Sequence, residues 1–345
     1  MSELTALEIA DKRWTSFVQA SPEAVPFHRP EWAQLLADCY GYRAFTFSRV
    51  DAVGRISCGL PILEVKSPLR GRQWVSLPFT DYCPPLAESE EEIGWLIEQV
   101  DAERRARGIS QLEVRAPLPK KKNVHQHSTA VTHTLPLGPD VEAVFRSFKR
   151  KQVRQPILKA AREGVTVRRA EFSGDLVDTF YELHVQTRAR LGIPVQPRRY
   201  FRMLWRSLID PGLAFVLLAS VGKSTVAGAV FMAWNGTITY KYNASRPEFW
   251  RLNANKLLLW TAIRWGCENG YRVFDFGRTD VENQGLRAFK MGWGATEEPL
   301  VYSTMGDVPA RVSTARLTAL LRPVIRRMPP WISRLVGEVA YKYAR

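Results

Sequence analysis

Over residues 55–65 the stretch RISCGLPILEV carries apolar positions at the period of a strand, with a glycine inside it, and GRQWVSLPF (71–79) predicts a second strand. The period then changes. Ile93, Leu96, Ile97 and Val100 recur at helical spacing between Glu90 and about Arg107, and Gly108 supplies the stop. The short run ISQLEVRA predicts one more strand. The second half repeats this order: TVAGAVFMAW (225–234) and TITYKYNAS (237–245) as strands, NANKLLLWTAIRWGCEN as a helix closed by Gly270, and YRVFDFG as a strand. Strand, strand, helix, glycine, strand twice over, at similar length, argues for a duplicated α/β domain. The Pro/Gly-containing LPLGPD marks the boundary, giving expected domains at 1–145 and 146–310 and a separate tail at 311–345.

Composition adds little to that picture, but charge placement adds more. The 345 residues, 46% hydrophobic and 24% charged, suit one or two globular cores. No run approaches the roughly 20 apolar residues that cross a bilayer, and MSELTALEIADKRW begins with acids where a secretion signal needs basic residues. A cytoplasmic protein is therefore expected. Cys39, Cys58, Cys83 and Cys267 form no CxxC pair, and His28, His125, His127, His133 and His184 show no metal-ligand spacing. Buried free thiols and no metal are expected; without a GxSxG, no hydrolase triad is indicated. Arg146–Arg169 holds nine Lys/Arg against Glu163, and Arg311–Arg345 holds eight against Glu338, so two short segments account for the whole net charge of +15. Such surfaces suit RNA, nucleotide-linked substrates or an anionic membrane, although two solvated helices would look the same.

The duplicated order resembles the GNAT fold, whose mixed sheet splays open between its fourth and fifth strands to admit the acyl donor. YKYNAS and VFDFG are the corresponding strands here. GNAT enzymes that use acyl-CoA place a Gly-rich loop before the next helix, because bare N–H groups must approach a pyrophosphate. Here that loop reads Arg251-Leu252-Asn253-Ala254-Asn255-Lys256, basic but without glycine.

Four segments then resemble the FemABX family, duplicated-GNAT enzymes that use aminoacyl-tRNA to add amino acids to the muropeptide precursor. They are FHRPEWAQLLADCYGYRAFTF (27–47) with its tryptophan Trp32, SLPFTDYCPPL (76–86), the basic FKRKQVRQPILKAAREGVTV (148–167), and VFDFGRTDVENQGLRAFKMGWGA (273–295). The resemblance spans roughly residues 25–303. Within the family, LPILEVKSPLRGRQWVSLPFTDY is similar to FemAB-like proteins encoded beside exosortase and exopolysaccharide systems. Muropeptide-handling members carry a basic, diphosphate-binding residue a turn after the tryptophan; here that turn holds Leu35 and Leu36, with Lys12, Arg29 or Arg43 as substitutes. A helical arm of some relatives is also missing.

The resemblance implies an α/β (α+β) fold of two tandem GNAT-like domains with mixed, splayed sheets, to which the residue pattern of the tail adds a basic amphipathic helical segment. It gives Lys290 the developing negative charge of the transferred carbonyl, or the donor's terminal ribose and phosphate, with Phe289 beside it. Without that role Lys290 is a surface lysine on a short helix. Asp81, beside Tyr82, steers or deprotonates the incoming amine, or is a turn aspartate ahead of Pro84 and Pro85. Asp275 lines the cleft or pairs with Arg278. Tyr240 and Tyr242, two apart on a strand, share a face on which a ring can hold substrate. Arg188, Arg198 and Tyr200 are candidate acceptor contacts, and Arg150, Lys151, Arg154, Arg251 and Lys256 candidate donor-phosphate contacts.

In the tail, Leu317, Leu320, Leu321, Val324 and Met328 form an apolar stripe opposite Arg316, Arg322, Arg326 and Arg327, bent at Pro323. It lies on an anionic membrane or packs on the first domain. The expected activity is transfer of an aminoacyl group from aminoacyl-tRNA onto an amine of a cell-envelope peptide, glycan or lipid-linked precursor, with no cofactor. The alternatives are an N-acyltransferase using acyl-CoA or an acyl carrier in exopolysaccharide synthesis, and a non-catalytic RNA- or membrane-binding module.

Overall fold

The computed structural model describes residues 3–67 and 71–307, and beyond them positions 323, 325, 326, 332, 334, 337, 338 and 341. They fall into two compact units, one made of residues 3–130 and 299–307, the other of 131–298 with the later positions. The units are thus discontinuous in sequence, where consecutive blocks at 1–145 and 146–310 were expected.

The first unit opens with β1 (Glu3–Glu8), α1 (Lys12–Ala20) and α2 (Pro30–Tyr40). Asp11 caps α1 by accepting from the Arg13 N–H, and Gly41, at φ 71°, ends α2 in the left-handed region where a side chain is costly. Next come β2 (Arg43–Val50), β3 (Ile56–Ser67), β4 (Gly71–Val75), the two-residue β5 (Leu86–Ala87), α3 (Glu90–Ala106), β6 (Gln111–Val114) and β7 (His125–Pro136). Strands β1 to β4 pair antiparallel in order, and β6 runs parallel to β4. Ser89 caps α3, and Glu90, Glu91 and Glu92 complement the positive end of its dipole. Leu96, Ile97 and Val100 on the inner face of α3 pack with Phe45, Phe47, Leu60, Ile62 and Trp74 of the sheet.

The second unit repeats this plan. It contains α4 (Val141–Ser147), α5 (Gln155–Arg162), β8 (Val165–Arg169), α6 (Tyr181–Leu191), α7 (Arg198–Leu204), β9 (Ala214–Val221), β10 (Ser224–Trp234) and β11 (Thr237–Ser245). After these come α8 (Ala254–Glu268), β12 (Val273–Asp275), β13 (Thr279–Asp280), α9 (Gln284–Met291) and the start of β14 (Thr296–Gly306); from Pro299 on that strand belongs to the first unit, where Ser303–Gly306 pair with β6. Strands β8 to β11 are antiparallel, β12 is parallel to β11, and the Thr134–Pro136 end of β7 lines β12. A two-residue turn, Asn235 at φ 49° and Gly236 at φ 74°, closes the β10–β11 hairpin, as the twist of a hairpin favours. Ile157 of α5 and Leu258, Leu259 and Ile263 of α8 cover Phe215, Phe231, Ile238 and Phe274 of the sheet.

The expected duplication is present, including the mixed sheets. β11 runs on to Ser245, but its pairing with β12 covers only Thr237–Thr239, and this is the splayed opening of the second unit. All four cysteines are buried free thiols. Among the described residues no helix is long and apolar enough to cross a membrane. The tail's apolar stripe, Leu317, Leu320, Leu321, Val324 and Met328, lies outside the described residues. Where that segment is described it contacts α6 and the α7 entry in the second unit, not the first domain: Arg334 bonds Glu182, Tyr341 Oη accepts from Arg188 at 3.3 Å, and Glu338 accepts from the Arg198 N–H at 3.0 Å.

Candidate functional site

The Asp-Phe-Gly segment leaves β12 in a tight turn. Asp275 Oδ1 accepts from the Gly277 N–H at 2.8 Å and from Thr132 Oγ1 at 3.2 Å, while Gly277 sits at φ 69°, which favours glycine. Arg278 turns away and pairs with Asp280 at 2.7 Å, so the Asp275–Arg278 pair weighed from the sequence does not form. α9 follows, capped by Asn283, whose Oδ1 accepts from the Leu286 N–H.

Most of α9 is exposed, but Lys290 points inward and is only 3% exposed. Its Nζ donates to the Gly277 carbonyl at 2.6 Å and more weakly to that of Arg278 at 3.4 Å. It is therefore not the surface lysine that was one reading. A buried ammonium is tolerable because strong acceptors take its protons. Phe289 is absorbed into the core edge-on to Trp293, so it supports α9 rather than facing a substrate.

One residue of this cluster has no counterpart among the sequence candidates. His133 on β7 is fully buried, with Nε2 3.0 Å from Glu297 Oε2, and Glu297 is gripped by Arg287 at 2.6 and 2.8 Å. The available signal was a polar residue at the core parity of Val131 and Leu135.

The tyrosines of β11 do not share a face. Tyr240 is opposite Phe231 and Tyr242 opposite Val230, so Lys241 is the extra residue of a β-bulge. Tyr240 stacks on Phe231 in the core, whereas Tyr242 turns to the α6–α7 side. There its hydroxyl is 2.8 Å from that of buried Tyr200, and its ring meets His184 and Phe201 edge-on. Burial raises the pKa of both tyrosines above that of a free phenol, so both stay protonated at neutral pH. Arg188 donates to the Pro194 carbonyl at 3.0 Å and to Tyr341, and Arg198 reaches Asp178 at 3.4 Å. Tyr200, Tyr242 and Arg188 thus form one neighbourhood with Tyr341, and Arg198 lies at its rim.

Of the basic candidates, Arg150 and Lys151 are exposed on a single π-turn, Arg150–Arg154, and make no ion pair among the described residues. Arg154 is half-buried with Nε unpartnered among the described residues. At the α8 entrance Arg251 is exposed, and Lys256 donates to Asn253 Oδ1 at 3.3 Å, its pKa lowered by burial. Asn253 itself adopts φ 55°, the conformation a glycine would take there.

Asp81 and Tyr82 belong to the first unit, on a segment held from several directions. β4 stops at Val75 rather than at Phe79 because Leu77 and Phe79 take φ of 63° and 60°, outside any strand. Trp32 Nε1 donates to Thr80 Oγ1 at 2.8 Å, Tyr302 Oη to the Asp81 carbonyl at 3.0 Å, and His28 Nε2 to the Pro84 carbonyl at 2.8 Å. Bulky residues keep a left-handed backbone only when their surroundings over-determine it, and such strain concentrates at functional sites. Arg115 lies 4.5 Å above the Tyr302 ring, and its pKa is raised: burial opposes the charge, but Glu113, Tyr302 and Asp81 favour it. Leu35 and Leu36 are core residues, Arg29 pairs with Glu31 at 2.6 Å, Arg43 packs on Phe45, and Lys12 is exposed.

Residues 147–296 match the family model described as acetyltransferase (GNAT) domain. With the duplicated splayed sheet, this makes the protein a GNAT-fold acyltransferase. Its fold is the FemAB-like form: the structure of FemX superposes with a TM-score of 0.71 at 17% identity, over 92% of this chain and 100% of that one. The C-terminal domain of a putative lysylphosphatidylglycerol synthetase from Agrobacterium fabrum gives 0.59 at 15% identity, over 90% and 95% of the two chains. A tandem GNAT protein from the clavulanic acid biosynthesis pathway gives 0.52 at 11%, over 88% and 98%. A search of curated protein sequences finds no match.

Proposed function

We propose that the protein transfers an aminoacyl group from aminoacyl-tRNA to an amine of a cell-envelope precursor. The observation that carries this reading is the inward Lys290 at the Gly277 turn, where the pairing of β11 with β12 ends, within a fold like that of FemX. Attack of an amine on the aminoacyl ester builds a tetrahedral oxyanion, and the ester oxygen of the tRNA leaves with the electron pair. A preorganised cation in a dry site stabilises that oxyanion far better than water does. Lys290 supplies the charge. Arg150, Lys151 and Arg154 offer a cationic turn to the donor's phosphates, and Arg188, Tyr200 and Tyr242 a hydrogen-bonding surface to the acceptor. A lipid-linked acceptor would bring the protein to the inner face of the membrane.

An N-acyltransferase using acyl-CoA is the second reading, favoured by the match of 147–296 to an acetyltransferase domain. Against it, the α8 entrance has Asn253 where a pyrophosphate needs open backbone, and its side chain is occupied by Lys256 and the Arg251 carbonyl. Incubation with pooled labelled aminoacyl-tRNAs and a lipid and glycan extract, beside labelled acetyl-CoA, decides between them. Labelled product is expected from the tRNA pool. Product from acetyl-CoA and none from any aminoacyl-tRNA overturns the first reading.

A further inference from the structure

The turn between β11 and α8 leaves a large aromatic ring in water. Trp250 lies in the single 3-10 turn Pro247–Leu252 and is 51% exposed, while its neighbours Phe249 and Leu252 pack into the core of the second unit. The ring is nevertheless held. Its Nε1 donates to Ser245 Oγ at 3.1 Å, and buried Ser245 is tied to α6 through its N–H, which donates to Thr187 Oγ1 at 3.1 Å. From the last turn of α6, Arg190 places its guanidinium 4.6 Å from the ring centroid. The surroundings are cationic: Arg251 follows in the same turn, and the turn packs on α5, which exposes Lys159 and Arg162. Arg162, Arg190 and Arg251 make no ion pair among the described residues, Lys159 pairs with Glu163 at 3.5 Å, and Glu248 is the one acid of the turn.

We propose that Trp250, backed by Arg190, is a stacking platform for an unpaired base at the 3′ end of an RNA, with the adjoining phosphates met by Arg251 and α5. Every base has a π-face, a fixed indole offers one without further loss of side-chain freedom, and a guanidinium over the same ring adds cation–π attraction. Unpaired bases, unlike paired ones, are free to stack on a protein. Charge selects the occupant. An apolar protein partner would leave Arg162, Arg190 and Arg251 unanswered, whereas a polyanion neutralises them. Insertion of the ring into a bilayer would carry the Arg190 guanidinium in with it, which hydrocarbon disfavours. An unpaired 3′ end is what an aminoacyl-tRNA donor presents, so the platform rests on that reading of the donor and adds a base contact to it.

The test compares binding of a labelled RNA hairpin that has a short unpaired 3′ end with binding of the same hairpin blunt-ended. Wild-type protein should prefer the unpaired end. Trp250→Ala should weaken that complex by about 5- to 150-fold, the worth of one stacked base, and leave the blunt hairpin and the log-log salt slope unchanged, because no phosphate contact is lost. Trp250→Phe keeps a π-face but not the bond to Ser245, so it should hold most of the affinity. A phenylalanine as weak as the alanine shows that the indole only braces the turn, and overturns the platform. Equal loss for both hairpins, or a loss confined to phosphatidylglycerol vesicles or to CoA, also overturns it. Transfer assays score the donor separately. Aminoacyl-tRNA use by the wild type with an RNA affinity indifferent to Trp250 removes the platform alone. Use of acetyl-CoA only, with an unpaired end still preferred through Trp250, removes the donor reading alone.

Discussion

Replacing Lys290 by methionine keeps the length of the side chain and removes its charge. In the structure this strips a 2.6 Å donor from the Gly277 carbonyl and a 3.4 Å donor from that of Arg278. A buried carbonyl left without a donor costs about 1–3 kcal/mol, and the longer bond contributes little, so unfolding free energy should drop within that range. Methionine also spares the protein the burial of an ammonium, which pulls the net destabilisation toward the lower end. Removing one preorganised oxyanion donor typically costs about 100-fold or more in turnover, about 3 kcal/mol of barrier. Stability and catalysis therefore separate: urea denaturation gives the first, and steady-state transfer with the donor and acceptor found by the labelled screen gives kcat and KM. The acceptor KM should change little, because the interaction is made in the transition state. A variant that loses stability yet keeps nearly full turnover would show that Lys290 only ties the turn, and the catalytic assignment would fail.

Substituting Ala at Arg150, Lys151 and Arg154 should weaken tRNA binding and reduce the log-log salt slope by about 0.7–0.9 for each phosphate no longer neutralised; an unchanged slope places the donor elsewhere. Tyr242→Phe should raise the acceptor KM because it leaves Tyr200 without its 2.8 Å partner, whereas Tyr240→Phe, on the core face, should alter melting rather than KM. Gly236→Ala should destabilise by about 1 kcal/mol, since φ is 74° and the new Cβ would meet the Arg272 guanidinium at 2.9 Å, while Asn235→Gly should be nearly neutral. Burial holds His28 neutral down to about 4 against hydrogen bonds to Pro84 and Val25, and burial with Arg188 holds His184 neutral to about 3 against Gln196. The unfolded chain takes those protons near 6.5, so stability should fall as pH drops from about 6.5 toward 4. Urea midpoints at a series of pH values check this, and His28→Gln should flatten part of the fall.

The duplicated order of elements was legible because it is written in local periodicity. α3 and α8 each carry an apolar stripe, and β3, β10 and β11 sit where their apolar runs lie. The failures arose where one residue's backbone decided the outcome. An extra residue in a strand reverses every side chain beyond it, and nothing in TITYKYNAS announces that Lys241 is bulged, so Tyr240 and Tyr242 looked like neighbours and are not. Leu77 and Phe79 read as strand residues by composition, yet their left-handed φ ends β4 and makes the Asp81 segment a constrained loop.

The candidate site was legible in part for a related reason. The Phe289–Lys290 pair stands within one short motif, so resemblance could find it, but its surroundings come from distant strands. His133 and Glu297 lie on β7 and β14, at opposite ends of the second unit's sequence, and only the sheet brings them together. Lys290 itself is no exposed hook but a buried ammonium donating to the Gly277 carbonyl. A charge so held costs no reorganisation when an oxyanion forms beside it, and preorganisation of this kind is what an oxyanion donor requires.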